Sequence, residues 1–207
     1  MIKAILWDID GVIIRHIEYF DEWLKKENYN NPRNIINEFR TTGINNACDE
    51  GNLNPLDAIK PFLDRIGWKK TSEEYFKLQY EYEEKYIDIE LLKKIQEIRN
   101  IGVKCFIASN QNNFRKNHLM QKLEIQKNFD GSYFSCDFNA VKNDDKFWIL
   151  LKQDIKSKYK NLIFENVLFL DDMDININKA MKYGINGKII NNLKDIEDVF
   201  SEIEKNI

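Results

Sequence analysis

Cysteine, proline and histidine are scarce in this chain, and it has no long apolar run. Cys48, Cys105 and Cys136 stand far apart, odd in number and without a Cys-x-x-Cys pair. That argues against a disulfide framework and against a zinc knuckle, so a reduced, intracellular setting is expected. Between Met1 and Asp10 only about half a dozen apolar residues precede an acidic turn, too short and wrongly flanked for a signal peptide or a membrane span. The expected location is the cytoplasm, with no membrane partner. Basic excess is also missing: 31 Lys and Arg face 34 Asp and Glu, for a formal net charge of -3. No nucleic-acid partner is expected. With three prolines and eight glycines, no linker, internal repeat or low-complexity tail interrupts the chain.

What is present is enough for a packed core. Hydrophobic residues make up 43% and aromatics 13% of 207 residues, which suits one good-sized domain or a core with a small second lobe. The run Ile2 to Trp7 reads as a buried parallel strand ending in Asp-Ile-Asp-Gly, where Gly11 allows a sharp turn. Similar runs follow at Val103 to Ala108, at Val167 to Leu170 and, more weakly, at Gly187 to Ile190, with a short candidate at Ser132 to Ser135. Helical spacing connects them. Ile89, Leu92, Ile95 and Ile98 precede the stop signal Gly102; Phe147, Leu150 and Leu151 follow a start near Asp144; Ile175 to Tyr183 ends at Gly184. This alternation predicts an α/β fold with a doubly wound parallel sheet.

The stretch from Ile17 to Tyr86 departs from it. Helical patterns lie around Tyr19 to Leu24, Leu56 to Ile66 and Tyr75 to Tyr86, while Asn30-Asn31-Pro32 and Thr42-Gly43 read as punctuation. A small all-helical insertion after the first strand is expected. Within it, Tyr75, Tyr80, Tyr82 and Tyr86 read as core and surface, and Glu81, Glu83, Glu84 and Lys85 as a solvated helical face. Arg15 and His16 read as surface or hinge residues, although His16 could face the mouth of a site at the sheet edge and Arg15 could meet a second anion there, and His118 reads as an exposed helical residue.

Three polar groups stand at predicted strand ends, where open α/β sheets place their ligands. They are Asp8-Ile9-Asp10-Gly11, Ser109-Asn110-Gln111 and Asp171-Asp172. Several carboxylates at one sheet edge repel one another unless a cation sits among them. A hard divalent ion with oxygen ligands resolves this, and Mg²⁺ suits a site that also holds phosphate. One carboxylate as nucleophile and a second as acid and base would make a phosphoryl-transfer apparatus.

In this order and spacing the residues resemble the four motifs of haloacid dehalogenase-like (HAD) hydrolases. Asp8-x-Asp10-Gly11-Val12 resembles the first motif and Ser109-Asn110 the second. Lys142-Asn143-Asp144, followed by Phe147, is similar to the Lys-Pro-Asp segment of the third, with Asn143 in place of proline. Leu170-Asp171-Asp172, then Asn176, Ala180 and Gly184, resembles the paired-aspartate form of the fourth. The resemblance implies a Rossmann-like core with strand order 3-2-1-4-5, formed by residues 1–16 and 87–207, and a helical cap of the C1 type over 17–86. It implies Asp8 as nucleophile and Asp10 as acid and base. Mg²⁺ would be held by Asp8, the backbone carbonyl of Asp10, and Asp172, with Asp171 and Asn176 in support. Ser109, Lys142 and the backbone N–H of Asn110 would bind the phosphoryl oxygens, with Lys146 a fallback for the lysine. Asp174 is a candidate N-cap. The branch resembled contains sugar-phosphate phosphatases and the phosphatase domain of soluble epoxide hydrolases. Asp10 speaks against dehalogenation, since the carbon–halogen-cleaving members lack that second aspartate. A small phosphorylated metabolite, a sugar phosphate or a nucleotide-like monoester, is the expected partner. A phosphomutase of the same superfamily and a catalytically idle binding protein are the competing readings.

Overall fold

Side-chain alternation along the strands builds this molecule's two main cores. In the computed structural model, which describes residues 1–205, Ala4–Trp7 form β1, Lys104–Ser109 β2, Gly131–Phe134 β3, Val167–Asp171 β4 and Asn186–Ile189 β5. All four neighbouring pairs are parallel, and the order is β3-β2-β1-β4-β5. Ile5, Trp7, Cys105, Ile107, Leu168 and Leu170 point to one face, and Ala4, Leu6, Phe106, Ala108, Val167 and Phe169 to the other. Such strands are buried on both faces, which is why they read as nearly continuous apolar runs. The cysteines are all free and buried, and burial pushes the Cys105 thiol up to about 12.

Helices cover both faces. The insertion contributes α1 (Phe20–Lys26), α2 (Pro32–Thr41), α3 (Ile44–Asp49), α4 (Pro55–Ile66) and α5 (Ser72–Glu83). The rest are α6 (Ile89–Asn100), α7 (Asn113–Lys122), α8 (Ile125–Asn128), α9 (Ser135–Phe138), α10 (Asp145–Lys158), α11 (Asp174–Met181) and α12 (Leu193–Lys205). α6 and α12 pack Leu92, Ile95, Val199 and Phe200 on the first face, and α10 and α11 pack Trp148, Leu151, Ile177 and Ala180 on the second. No described helix is long and apolar enough to cross a membrane.

The helical insertion keeps a separate apolar cluster, centred on Phe20, Ile36, Leu63 and Tyr75. Two of its helices, α2 and α3, lie where the sequence suggested only punctuation. Pro32 opens α2 instead of breaking the chain, because proline's fixed φ and missing N–H are harmless in a first turn. Thr71 and Glu74 cap α5 reciprocally, each side chain bonding the other's backbone N–H. Glu83, expected on a solvated face, is instead buried against α7. His118 is half-buried beside Glu84 and the Tyr80 ring. Asp174 is the first residue of α11, with Met173 at the N-cap, so no aspartate side chain caps that helix.

One polar knot secures the outer half of the sheet. The Asp130 carboxylate accepts from Arg99 Nε at 2.9 Å, Lys104 Nζ at 3.0 Å and the Cys105 N–H at 2.9 Å. Burial opposes its charge, but these three donors outweigh burial and hold the carboxyl below its ordinary value. A depressed folded-state value stabilises the protein fully above the unfolded carboxyl's range, near pH 4, and that contribution is lost as pH falls through the folded value. Asp130→Ala is therefore expected to lower unfolding free energy by about 2 kcal/mol at pH 7. Urea midpoints of the two proteins should converge below about pH 4; a gap unchanged by acid would mean the carboxylate's charge plays no part.

Candidate active site

The carboxyl end of the sheet gathers the polar strand ends into one place. Asp8 follows β1 and is tied to β4, its N–H donating to the Leu170 carbonyl at 2.9 Å. Its carboxylate accepts from the Ile9 N–H at 2.8 Å and lies 2.7 Å from Lys142 Nζ. Asp171, the last residue of β4, is fully buried; it contacts Lys142 Nζ at 2.6 Å and accepts from Asn176 Nδ2 at 3.0 Å and from the Met173 N–H at 2.8 Å. Carboxylate oxygens of Asp8, Asp171 and Asp172 fall within 4.8 Å of one another.

Lys142 is fixed from both ends. Its N–H donates to Asn110 Oδ1 at 2.8 Å, and its carbonyl accepts from Trp148 Nε1 at 2.6 Å. Asn143 in place of proline thus leaves the lysine in position, while Lys146 is exposed and reaches only the Asn139 carbonyl. Burial disfavours charge on Lys142, yet Asp8 and Asp171 outweigh it and raise its value. Burial also pushes the Asp8 carboxyl upward, with Asp171 adding to it and Lys142 opposing. One lysine is too little positive charge for this cluster, whose three carboxylates supply only oxygen donors. That is a donor set for Mg²⁺.

Gly11 makes the cluster possible. Its φ of +83° turns the chain after the first motif, where the N–H groups of Ile13 and Ile14 return to the Ile9 carbonyl. A Cβ here would stand 2.3 Å from an Asp172 carboxylate oxygen. Only glycine lets that carboxylate lie across the loop.

The Asp10 side chain turns away from this cluster into an open cleft. It accepts from Gln111 Nε2 at 2.8 Å, with His16 Nε2 at 3.4 Å and Arg115 Nη2 at 3.6 Å. Burial disfavours its charge, but His16, Arg115 and Gln111 together hold the carboxyl well below its ordinary range. The Asp10 side chain thus faces the cleft and stands apart from the carboxylate cluster. Ser109, buried at the end of β2, accepts from the same Gln111 amide at 3.1 Å.

These contacts give roles to residues that the sequence left bland. His16 stacks on Tyr19 beside Asp10 and is more than a hinge. Arg15 pairs with Asp88 where the chain crosses between insertion and sheet. Arg115 on α7 is buried between Asp10 and Glu83 of α5, 2.9 Å from the latter, with Tyr80 under its guanidinium. Nothing local marks Arg115, since its partners are distant in sequence. Gln111 was legible only as part of a polar strand end.

The cleft holds about 970 Å³ between the sheet edge and the helical insertion. Asp10, Gly11, Asn110 and Asp172 line its floor, and residues of α2, α3 and α5 its walls.

Comparison with known proteins places this geometry. The solved HAD family enzyme bt-2542 of Bacteroides thetaiotaomicron superposes with a TM-score of 0.75 at 19% identity, over 96% of this chain and 98% of that one. The same enzyme in complex with magnesium and inorganic phosphate gives 0.70 at 20% identity, over 91% and 94%. A HAD-like family hydrolase of Porphyromonas gingivalis gives 0.73 at 18%, over 99% and 98%. At these identities the likeness speaks to fold. Comparison with curated proteins yields no match. The family model described as haloacid dehalogenase-like hydrolase, however, matches residues 2–174, which takes in the first three motifs and the paired aspartates of the fourth, and on that match the chain belongs to the haloacid dehalogenase-like hydrolases.

Proposed function

We propose that this hydrolase is a magnesium-dependent phosphatase that cleaves a small phosphomonoester through an aspartyl-phosphate at Asp8. The observation that carries this reading is Asp10, a second carboxylate two residues beyond the nucleophile and facing the cleft. Dehalogenation has no use for a proton donor there, whereas a departing alkoxide requires one.

In the first half-reaction the incoming phosphate's negative charge raises the Asp10 carboxyl from its depressed resting range so that it takes up a proton; an Asp8 oxygen attacks phosphorus, the ester P–O bond breaks, and the leaving oxygen takes that proton from Asp10. In the second, Asp10 takes a proton from water as that water attacks phosphorus, and the Asp8 carboxylate departs. Gln111, His16 and Arg115 orient Asp10 for both transfers. Ser109, Lys142 and the N–H of Asn110 hold the phosphoryl oxygens. Asp8, the Asp10 carbonyl and Asp172 would hold Mg²⁺, with Asp171 and Asn176 fixing that arrangement from behind. The ion supplies charge neutralisation for the phosphoryl group and the carboxylates around it. Residues 17–86 act as a cap that shields the reaction from bulk water.

Phosphate release from a panel of phosphomonoesters tests this. Release in Mg²⁺ is expected to fall by about two orders of magnitude or more in EDTA. A folded protein that releases nothing from any ester in Mg²⁺ would sink the phosphatase reading.

A further inference from the structure

The charge balance of the cleft walls is uneven in a way that bears on the leaving group. Four arginines line the cleft, and each already has a carboxylate of its own. Arg15 pairs with Asp88, Arg33 with Glu22 at 2.9 Å, Arg40 with Asp21 at 3.9 Å, and Arg115 with Glu83 at 2.9 Å. Each wall arginine thus has a carboxylate near it, so none stands as an unbalanced positive charge for a second anion on the substrate. Asp49, at the end of α3, is the opposite case. It lines the same cleft and accepts from Asn45 Nδ2 at 2.8 Å, but among the described residues no cation offsets its charge. Burial and the nearby Asp10 charge push its carboxyl up to about 7.

The Asp49 backbone is also anchored to the loop that carries Gln111. Its carbonyl accepts from Ser135 Oγ at 2.6 Å; that oxygen accepts the Gln111 N–H at 2.9 Å; and the Gln111 side chain holds Asp10. Beside it, Asn139 Nδ2 donates to the Glu50 carbonyl at 2.9 Å. Asp10 must touch the ester oxygen, and Asp49 lines the same cleft close enough to feel the Asp10 charge, so atoms just beyond that oxygen pass along the wall that carries Asp49.

Resting on the phosphatase reading, we infer that Asp49 selects a leaving group with a hydrogen-bond donor, hydroxyl or ammonium, near the ester oxygen and without a second anion. A carboxylate accepts strong bonds from such donors and repels a carboxylate or phosphate. The same balance disfavours the mutase alternative, whose bisphosphate intermediate carries a second phosphate into the cleft.

Four esters of matched size decide the matter: glycerol 1-phosphate, 2-aminoethyl phosphate, n-propyl phosphate and 3-phosphoglycerate, assayed by phosphate release in Mg²⁺. At least one of the first two is expected to exceed n-propyl phosphate about tenfold in kcat/KM, and 3-phosphoglycerate to fall at or below it. Asp49→Ala should reduce that preference about tenfold. Asp49→Asn keeps the shape without the charge and serves if the alanine variant does not fold; in it, any preference for 2-aminoethyl phosphate should drop by a similar factor. A preference that survives both substitutions, or 3-phosphoglycerate as the best substrate, overturns the role of Asp49 while leaving the phosphatase intact. Release from none of the four while other esters of the panel are cleaved overturns the role of Asp49; release from no ester at all overturns the phosphatase reading, and the inference with it.

Discussion

Asp8→Asn is expected to yield a folded protein whose phosphate release is reduced by about four orders of magnitude or more. An amide nitrogen and a neutral carbonyl oxygen are poor nucleophiles toward phosphorus, and no neighbouring carboxylate takes over. Asp171 is fully buried behind Lys142, and the Asp10 side chain faces the other way. Stability should not suffer, since the change removes one buried negative charge and leaves Lys142 its 2.6 Å contact with Asp171. Urea midpoints within error of wild type, with turnover lost, would establish the nucleophile. Near-full turnover would remove Asp8 from the mechanism.

Lys142→Met, by contrast, is expected to damage folding as well as activity. Lys142 is 2% exposed and contacts both Asp8 and Asp171. Methionine fills much of the same space, but it strands two buried carboxylates, at a cost of about 3 kcal/mol or more. Mg²⁺ binds the same carboxylates, so added magnesium should restore part of that loss, whereas EDTA should expose all of it. Unfolding in urea under both conditions provides the check. An equal deficit with and without Mg²⁺ would show that the lysine's packing, not its charge, is what the fold uses.

Much of this organisation could be read in the sequence because the decisive residues announce themselves locally. Strands buried on both faces are apolar runs, and each active-site carboxylate stands directly after one. The elements that escaped notice lack such a mark or were misread for a physical reason. Proline at Pro32 signals a break from its ring alone, although Ile35, Ile36 and Phe39 continue a helical stripe behind it. α12 carries a regular stripe in Ile196, Val199, Phe200 and Ile203, but it follows the last strand, so no second apolar run brackets it. α7 buries only Arg115 and Leu119, so no apolar period betrays it. The site divides in the same way. Asp8, Asp10, Ser109, Lys142, Asp171, Asp172 and Asn176 belong to ordered motifs. Glu83 and Arg115 gain meaning only once α5 and α7 meet, and a glutamate in a run of charges looks like any solvated one.

The crossing between sheet and insertion has a consequence of another kind. Ile14 and Ile87 are antiparallel bridge partners, and the Arg15 N–H donates to the Tyr86 carbonyl beside them. The chain therefore departs and returns at a single point, and everything between is topologically one long hairpin loop. Lengthening such a loop costs only slowly growing closure entropy, and replacing it shifts no strand register. If residues 17–86 cap the site as proposed, selection can rewrite which molecules are admitted without touching the atoms that react, and ancestry and appetite can diverge along a single seam.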